Sequence, residues 1–233
     1  CLIFDLDGTL YDINNGYLQV IRDNIFSMMV NKGYAINKQE AELLWKPLFK
    51  KYNQSFKGLN AGGYHFTNDE YWKEHRSGME HFFKPDEQLR QFLLNLSYKK
   101  VIFTNCREKE AIEILQLLNI YDCFDKIYGA DFMGDVCKPQ KESFELVLKD
   151  LGINSENILY FEDSVKNLIA AQQLNMKCVL IYSNTAQEEG SIITILHETR
   201  KIGSIEGVSM PIIVLDTLND GGVQLKQALP ELF

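Results

Sequence analysis

An apolar run that ends in two acids, at the very start of the chain, constrains the fold most strongly. Residues 2–4 (LIF) predict a strand buried on both faces, as strands of parallel sheets are. Asp5 and Asp7 follow at its carboxyl end, which is where open α/β sheets bind their ligands. Gly8 lets the chain turn sharply away from the strand. The stretch therefore predicts a parallel sheet with an acidic ligand site at the end of its first strand.

The carboxylates of Asp5 and Asp7 repel each other unless a cation or a shared proton lies between them. Mg²⁺ is a hard cation that takes oxygen ligands of this kind. The alternative is a solvated acidic turn after a strand, because a bare DxD pattern is common where no metal binds. On these two residues alone, both interpretations stay open.

Strand and helix patterns alternate from residue 86 onwards. Strands are predicted at 100–105, 126–128, 157–161 and 177–182, helices at 86–96, 108–118, 141–151 and 165–174, and a loop at 131–139. This alternation is typical of a doubly wound, Rossmann-like parallel sheet. Nearer the end, residues 191–196 and 211–215 favour strands, 222–229 favours a helix, and 188–210 suggests an insertion or an extra hairpin.

The segment between the first two strands has a different pattern, with helical spacing and no convincing strand. Apolar residues recur at helical spacing in Tyr17–Asn31 and Lys38–Tyr52, and the capping pattern at Thr67–Glu70 predicts a helix running through Phe83. The glycines in residues 53–66 favour a loop there. We therefore predict a helical domain at residues 14–84, inserted into an α/β core made of residues 1–13 and 85–233.

Charge and composition limit the partners of the chain. The net charge is −8 and no Lys/Arg stripe is present, which argues against a nucleic acid polymer, since such binding rests on neutralising phosphates. A small phosphorylated metabolite remains compatible, because a metal and a few lysines reverse the potential locally. No apolar run is long enough for a transmembrane helix, so no membrane partner is expected.

The five cysteines are scattered and form no CxxC pair. They indicate neither a disulfide framework nor a zinc site, and a cytoplasmic location is the simplest expectation. The chain begins with Cys1 inside a strand rather than with a methionine, so we expect native residues ahead of it. The sequence does not distinguish a monomer from a dimer.

Four short motifs follow one another along the chain: FDLDGTLY at residues 4–11, IFTN at 102–105, CKP at 137–139 and YFEDS at 160–164. In this order and with these separations, the chain resembles the haloacid-dehalogenase superfamily of phosphotransferases. The resemblance covers residues 1 to about 185. It implies an α/β core, a helical cap inserted after the first strand, and a Mg²⁺-dependent phosphatase.

The resemblance implies a catalytic role for each matching residue. Asp5 matches the nucleophile, which forms an aspartyl-phosphate, and Asp7 matches the general acid/base. Thr104 and Asn105 match the phosphate-binding motif, and Lys138 would neutralise the phosphoryl group. True dehalogenases lack an acid at the position of Asp7, so its presence favours phosphoryl transfer.

The resemblance also implies a metal site for a single Mg²⁺. The expected ligands are Asp5, Asp163 and the backbone carbonyl of Asp7. Glu162 is expected either to bind through a water in the outer shell or to orient Lys138, and the sequence leaves both options open. A catalytically dead scaffold is disfavoured, because Asp5, Asp7 and Asp163 are all retained.

A narrower resemblance is to the pyrimidine 5′-nucleotidases of the fungal and plant type. It is carried by residues 52–59 (YNQSFKGL), 64–71 (YHFTNDEY), 83–94 (FKPDEQLRQFLL) and 136–139 (VCKP). The chain departs from this branch at the residue after Asp7, which is often Asn there, and after residue 188. The resemblance implies nucleoside 5′-monophosphates as substrates. The alternatives are a phosphatase of another small ester, of the sugar phosphate or phosphoglycolate type, and a sugar phosphomutase of the same fold.

Overall fold

The computed structural model describes residues 1–183, 193–197, 202–205 and 211–233. Part of the predicted insertion at 188–210, and the first residues of the strand predicted at 191–196, lie outside these ranges. The chain forms two compact units. One consists of Cys1–Ile13 with Lys84–Phe233, and the other of Asn14–Phe83.

The first unit is built on an eight-stranded sheet with the strand order β3-β2-β1-β4-β5-β8-β7-β6. The strands are β1 (Leu2–Phe4), β2 (Lys100–Phe103), β3 (Lys126–Tyr128), β4 (Leu159–Glu162), β5 (Lys177–Ile181), β6 (Ile193–His197), β7 (Ile202–Ile205) and β8 (Ile212–Leu215). All pairings from β3 to β8 are parallel. The predicted fold class, an α/β protein with a doubly wound parallel sheet, is therefore confirmed.

The far edge of the sheet departs from the parallel pattern. Strand β7 pairs antiparallel with β8, and β6 pairs antiparallel with β7. Only residues 198–201 separate β6 from β7, whereas a parallel crossover needs a dozen or more residues. Of the two options predicted for residues 188–210, an extra hairpin therefore matches the strands that the structure describes.

The second unit is helical: α1 (Tyr17–Asn31), α2 (Lys38–Tyr52), α3 (Ser55–Ala61) and α4 (Asn68–His75). Helices α1 and α2 have the predicted bounds. Thr67 begins α4 as predicted, its side chain accepting a hydrogen bond from the Glu70 amide. The prediction that this helix continues to Phe83 is wrong, because the chain turns at Gly78, where φ is +84°, into a short 3₁₀ turn.

The predicted loop at residues 53–66 is also wrong, since α3 occupies its first half. Gly58 lies inside α3, and a Cβ atom there would lie 3.2 Å from the carbonyl oxygen of Leu48 in α2. The missing side chain thus allows two helices to pack backbone to backbone. A glycine interpreted as a sign of a loop serves close packing instead.

Among the described residues, the helices of the sheet unit are α5 (Glu87–Asn95), α6 (Glu108–Leu117), α7 (Ala130–Met133), α8 (Lys141–Leu151), α9 (Val165–Gln172) and α10 (Val223–Ala228). Except for α7, each of these helices begins and ends within two residues of its predicted bounds. Helix α7 corrects the loop predicted at 131–139. The Glu108 carboxylate accepts hydrogen bonds from the amides of Gly129, Asp131 and Phe132, and so caps this turn from a distant part of the sequence.

Both faces of the central strands are buried. Leu2, Ile3 and Phe4 are all buried, and the Phe4 ring stacks on Phe161 with a centroid separation of 4.4 Å. Within the described ranges, the structure contains no helix that is both long and apolar enough to span a membrane.

Candidate active site

The carboxyl ends of β1, β2 and β4 bring the predicted site residues together. Phe4 pairs with Ile102 in β2 and with Phe161 in β4, so the residues that follow these positions emerge at one edge of the sheet. The Asp5 amide donates to the Phe161 carbonyl at 2.9 Å, which extends this register by one residue. Asp5, Thr104 and Glu162 therefore share the edge where α/β sheets bind ligands.

Gly8 allows the loop after β1 to approach this edge closely. Its φ is +82°, and a Cβ atom at this position would collide with the carboxylate of Asp163. A side chain at residue 8 would therefore displace either the Asp163 carboxylate or the loop that carries Asp7.

Lys138 occupies the centre of the site. Its side chain is 1% exposed. The ammonium donates to Asp5 at 2.7 Å, to Glu162 at 2.8 Å and to the Phe103 carbonyl at 2.8 Å, and it lies 3.1 Å from the Tyr160 hydroxyl. Buried lysines in proteins are almost always paired, and this one is surrounded by oxygen atoms from β2, from β4 and from Asp5, which follows β1.

Asn105 holds the main chain of Lys138 from both sides. Its side-chain nitrogen donates to the Lys138 carbonyl at 3.0 Å, and its side-chain oxygen accepts from the Lys138 amide at 2.9 Å. The neighbouring Thr104 hydroxyl accepts a hydrogen bond from the Cys106 amide at 3.0 Å. The phosphate-binding roles of Thr104 and Asn105 remain predictions, and for Asn105 the geometry supports the positioning of Lys138.

Glu162 is buried and has several donors. The Lys138 ammonium, the Asn167 amide and the Tyr160 hydroxyl all donate to one of its oxygens, and the Ser164 amide donates to the other. Of the two options left open for Glu162, orienting Lys138 matches these contacts.

The sequence analysis did not single out Tyr160 or Asn167. A signal for Tyr160 exists, because a residue two positions before Glu162 on a strand points to the same face. No comparable local signal marks Asn167, which reaches Glu162 from the first turn of α9.

Three buried acids lie close enough together to hold a metal ion. Asp5, Glu162 and Asp163 each place a carboxylate oxygen within 4.8 Å of the others. The Asp7 carboxylate is not in this group and accepts a hydrogen bond from the Tyr11 hydroxyl. This leaves the backbone carbonyl of Asp7, rather than its side chain, as the group expected to bind a metal.

The electrostatics of the site favour an added cation. Burial, reinforced by the charge of Glu162, raises the pKa of Asp5 to about 8, despite the opposing effect of Lys138. Burial also works against the charge on Lys138, but Asp5 and Glu162 outweigh it and raise the lysine pKa. The same ion pair outweighs burial at Glu162 and lowers its pKa. A divalent cation would relieve the repulsion at Asp5, so the acidic cluster fits a hard metal ion.

Comparison with known proteins places this site in a family. A model of the haloacid dehalogenase-like hydrolases matches residues 2–181, a range that includes all the predicted site residues. The chain belongs to this family.

Two relatives and one solved structure show how similar the chain is to known members of the family. It is 27% identical over 218 residues to Phosphate metabolism protein 8 of Saccharomyces cerevisiae, covering 87% of this chain and 68% of that protein. It is 28% identical to a phosphoglycolate phosphatase of Neisseria gonorrhoeae, covering 72% of this chain and 74% of that protein. CbbY of Rhodobacter sphaeroides, solved in complex with phosphate, shares the fold with a TM-score of 0.65 and 16% identity, covering 95% of each chain. The prediction of a phosphoric monoester hydrolase is confirmed.

Proposed function

We propose that this phosphatase is Mg²⁺-dependent, acts through an aspartyl-phosphate, and hydrolyses nucleoside 5′-monophosphates. The observation that carries the proposal is the buried Lys138 ammonium, which lies 2.7 Å from Asp5 and is held by Glu162 from the other side. An ammonium placed there stabilises negative charge on a phosphoryl group that is attached to Asp5.

In the proposed reaction, a carboxylate oxygen of Asp5 attacks the phosphorus atom and the bond to the leaving oxygen breaks. Asp7 gives its proton to that oxygen. Asp7 then accepts a proton from a water molecule, which attacks the phosphorus and releases inorganic phosphate from Asp5. Thr104 and Lys138 donate to the phosphoryl oxygens in both steps, and charge stabilisation of this kind is the main need of phosphoryl transfer.

The carboxylates of Asp5 and Asp163, with the backbone carbonyl of Asp7, would hold the Mg²⁺. When bound, the ion supplies positive charge to the transferring phosphoryl group. In this scheme Glu162 acts on Lys138 rather than on the metal, in keeping with its donors. Activity is expected to require Mg²⁺ and to be inhibited by Ca²⁺, which accepts more ligands at longer distances. Full activity in excess chelator would rule the metal out.

The nucleotide substrate is supported by the resemblance of residues 52–59 and 64–71 to the pyrimidine 5′-nucleotidases, and all of these residues belong to the helical unit. We propose that this unit is a cap that selects the leaving group. It leaves the core just after the loop that carries Asp5 and Asp7, and it returns before α5. A small phosphorylated metabolite is then the partner, and the reducing cytoplasm is the expected location.

A second candidate substrate is phosphoglycolate, which is favoured by the relative from Neisseria gonorrhoeae. The test for both is phosphate release, measured with Mg²⁺ over a panel of nucleoside monophosphates, phosphoglycolate and sugar phosphates. The highest kcat/KM is expected for a nucleoside monophosphate. A clear preference for phosphoglycolate would replace the nucleotide proposal, and release from no member of the panel would overturn both.

A further inference from the structure

The Tyr160 hydroxyl lies between two charged side chains of the site, Glu162 and Lys138. The residue is fully buried in β4, and its ring packs near Phe103 and Phe144, with centroid separations of 6.3 and 5.9 Å. The hydroxyl donates to Glu162 and lies 3.1 Å from the Lys138 nitrogen. One oxygen atom therefore touches both members of a buried ion pair.

Counting the N–H groups of Lys138 and the oxygens around it shows which hydrogen bonds the Tyr160 oxygen can make. An ammonium has three N–H groups, and four oxygens surround it, from Asp5, Glu162, Phe103 and Tyr160. A phenol keeps its proton at neutral pH, and the Tyr160 hydroxyl donates its hydrogen bond to Glu162. Toward Lys138 its oxygen is therefore an acceptor, and the ammonium has one more acceptor than it has protons.

The surplus acceptor matters when a phosphoryl group is bound. Lys138 must then turn an N–H toward a phosphoryl oxygen and release one of its present partners. Without the Tyr160 hydroxyl, Glu162 would keep the Asn167 and Ser164 donors, but the oxygen that pairs with Lys138 would lose one donor and would draw the ammonium more strongly away from Asp5. The hydrogen bond from Tyr160 lowers the charge density on Glu162, and the tyrosine oxygen accepts an N–H from Lys138.

We propose that Tyr160 is a positioning residue, whose hydroxyl bridges Glu162 and Lys138 and keeps the ammonium directed at Asp5. The proposal deepens the proposed phosphatase function and rests on it. It assigns no contact between Tyr160 and the substrate. Tyr160 affects the reaction only by orienting Lys138.

The test compares two tyrosine-to-phenylalanine variants that each lose the hydroxyl of a buried tyrosine. Tyr160→Phe removes the bridge and keeps the ring. Tyr128→Phe is the matched control, because Tyr128 is equally buried in β3 of the same sheet and its hydroxyl bonds to Asp150 at 2.6 Å. Each variant is assayed well below its own melting temperature, so that unfolding does not contribute.

Two measurements separate positioning from stability. For Tyr160→Phe we expect kcat to fall about tenfold, as for other residues that orient a site through a neighbour, with little change in KM. The second measurement uses trifluoroberyllate with Mg²⁺, a mimic of the phosphorylated aspartate. Its ¹⁹F resonances should shift in Tyr160→Phe, because a fluorine beside Lys138 senses the ammonium, and should match wild type in Tyr128→Phe.

Several outcomes would overturn the proposal. One is that Tyr160→Phe has the same kcat and the same ¹⁹F shifts as wild type. A second is that Tyr160→Phe and Tyr128→Phe lose kcat equally. A third is that the wild-type protein does not bind trifluoroberyllate. A wild type that binds trifluoroberyllate but hydrolyses no phosphoester would overturn the proposed function instead, and the ¹⁹F comparison would still test Tyr160.

Discussion

At the scale of single residues, Asp5 is where the proposed chemistry and the electrostatics of the site meet. Its carboxylate is buried, pairs with Lys138, and lies near two further acids. We expect Asp5→Asn to abolish turnover and leave the fold intact. The amide cannot act as the nucleophile, but its oxygen can still accept the hydrogen bond from Lys138.

The measurement is phosphate release, with circular dichroism to check the fold. Asp12→Asn, which changes an exposed carboxylate in the same loop, is the control and should keep wild-type activity. If Asp5→Asn stayed within about tenfold of wild type, a barrier change of only about 1.4 kcal/mol, Asp5 would not be the nucleophile.

The pKa of Asp5 also predicts how stability depends on pH when no metal is bound. Burial raises this pKa from 3.8 to about 8 in the folded protein. Between these values the folded state binds the proton and the unfolded state does not, so Asp5 makes the protein less stable as pH rises through that window. Above a pH of about 8 the effect is constant.

This pH effect is tested by melting wild type and Asp5→Asn in chelator across the window. The melting temperature of wild type minus that of the variant should fall as pH rises. Saturating Mg²⁺ should remove most of the slope, because the cation favours ionised Asp5. A difference that does not vary with pH in chelator would contradict the raised pKa.

The residues of the site divide into those that the sequence could reveal and those that it could not. Asp5, Lys138 and Asp163 lie in short motifs whose order carries the family pattern. The hydrogen bonds of Asn105 to Lys138, 33 residues further along the chain, form only once separate segments meet in the fold, and Asn167 reaches Glu162 only because of the turn between β4 and α9. Local pattern shows which groups are present, and tertiary contacts decide which of them touch.

At the scale of helices and strands, the same limit explains the two wrong loop predictions. Gly58 lies within α3 because its missing side chain lets α2 pack closely against this helix. The first turn of α7 is capped by the carboxylate of Glu108, which lies in α6. Both causes lie outside the segment concerned. Helices with caps of their own, such as α5 with Asp86, were predicted close to their bounds.

Asp86 has a second role, which gives a prediction for this scale. One oxygen of its carboxylate caps α5 by accepting from the Leu89 amide at 2.9 Å. The other accepts from the Asn219 side chain at 2.8 Å, and that side chain also donates to the Leu10 carbonyl at 3.3 Å. Asn219, just before α10, thus ties the C-terminal segment to two other parts of the sheet unit.

We expect Asn219→Ala to lower the free energy of unfolding by about 1–2 kcal/mol, since one lost hydrogen bond involves a charged acceptor. Asp86→Ser retains a capping side chain for α5 and removes the carboxylate. A double-mutant cycle of these two changes, followed by urea unfolding, should give a coupling energy above about 0.5 kcal/mol. Additive effects would show that the two side chains do not interact in solution.

At the scale of the whole molecule, we propose a different task for each of the two units. The sheet unit carries every residue assigned to the chemistry, and those residues would contact only the phosphoryl group and the ester oxygen that all phosphoesters share. Discrimination between esters must therefore come from contacts with the leaving group. The helical unit is proposed to make these contacts and, in closing, to exclude bulk water while the aspartyl-phosphate forms.

The final prediction concerns that division of tasks. UMP and CMP should have a higher kcat/KM than purine monophosphates, sugar phosphates and p-nitrophenyl phosphate. Part of this preference should depend on the segment after α3, where Tyr64 packs edge-on against Tyr34 with a centroid separation of 5.5 Å. Tyr64→Ala should lower kcat/KM for the pyrimidine nucleotides and change that for p-nitrophenyl phosphate little, because this small ester needs only the core.

Tyr98→Ala is the matched control for this test, since it removes a tyrosine that is 40% exposed on the sheet unit, and its substrate profile should equal that of wild type. An equal loss on all substrates in Tyr64→Ala would show that Tyr64 supports the fold or the chemistry rather than recognition. A flat wild-type profile, with p-nitrophenyl phosphate as good as any nucleotide, would defeat the nucleotide proposal. That result would leave the proposed roles of Asp5, Asp7 and Lys138 unchanged, because they depend only on the phosphoryl group and the ester oxygen that all phosphoesters share.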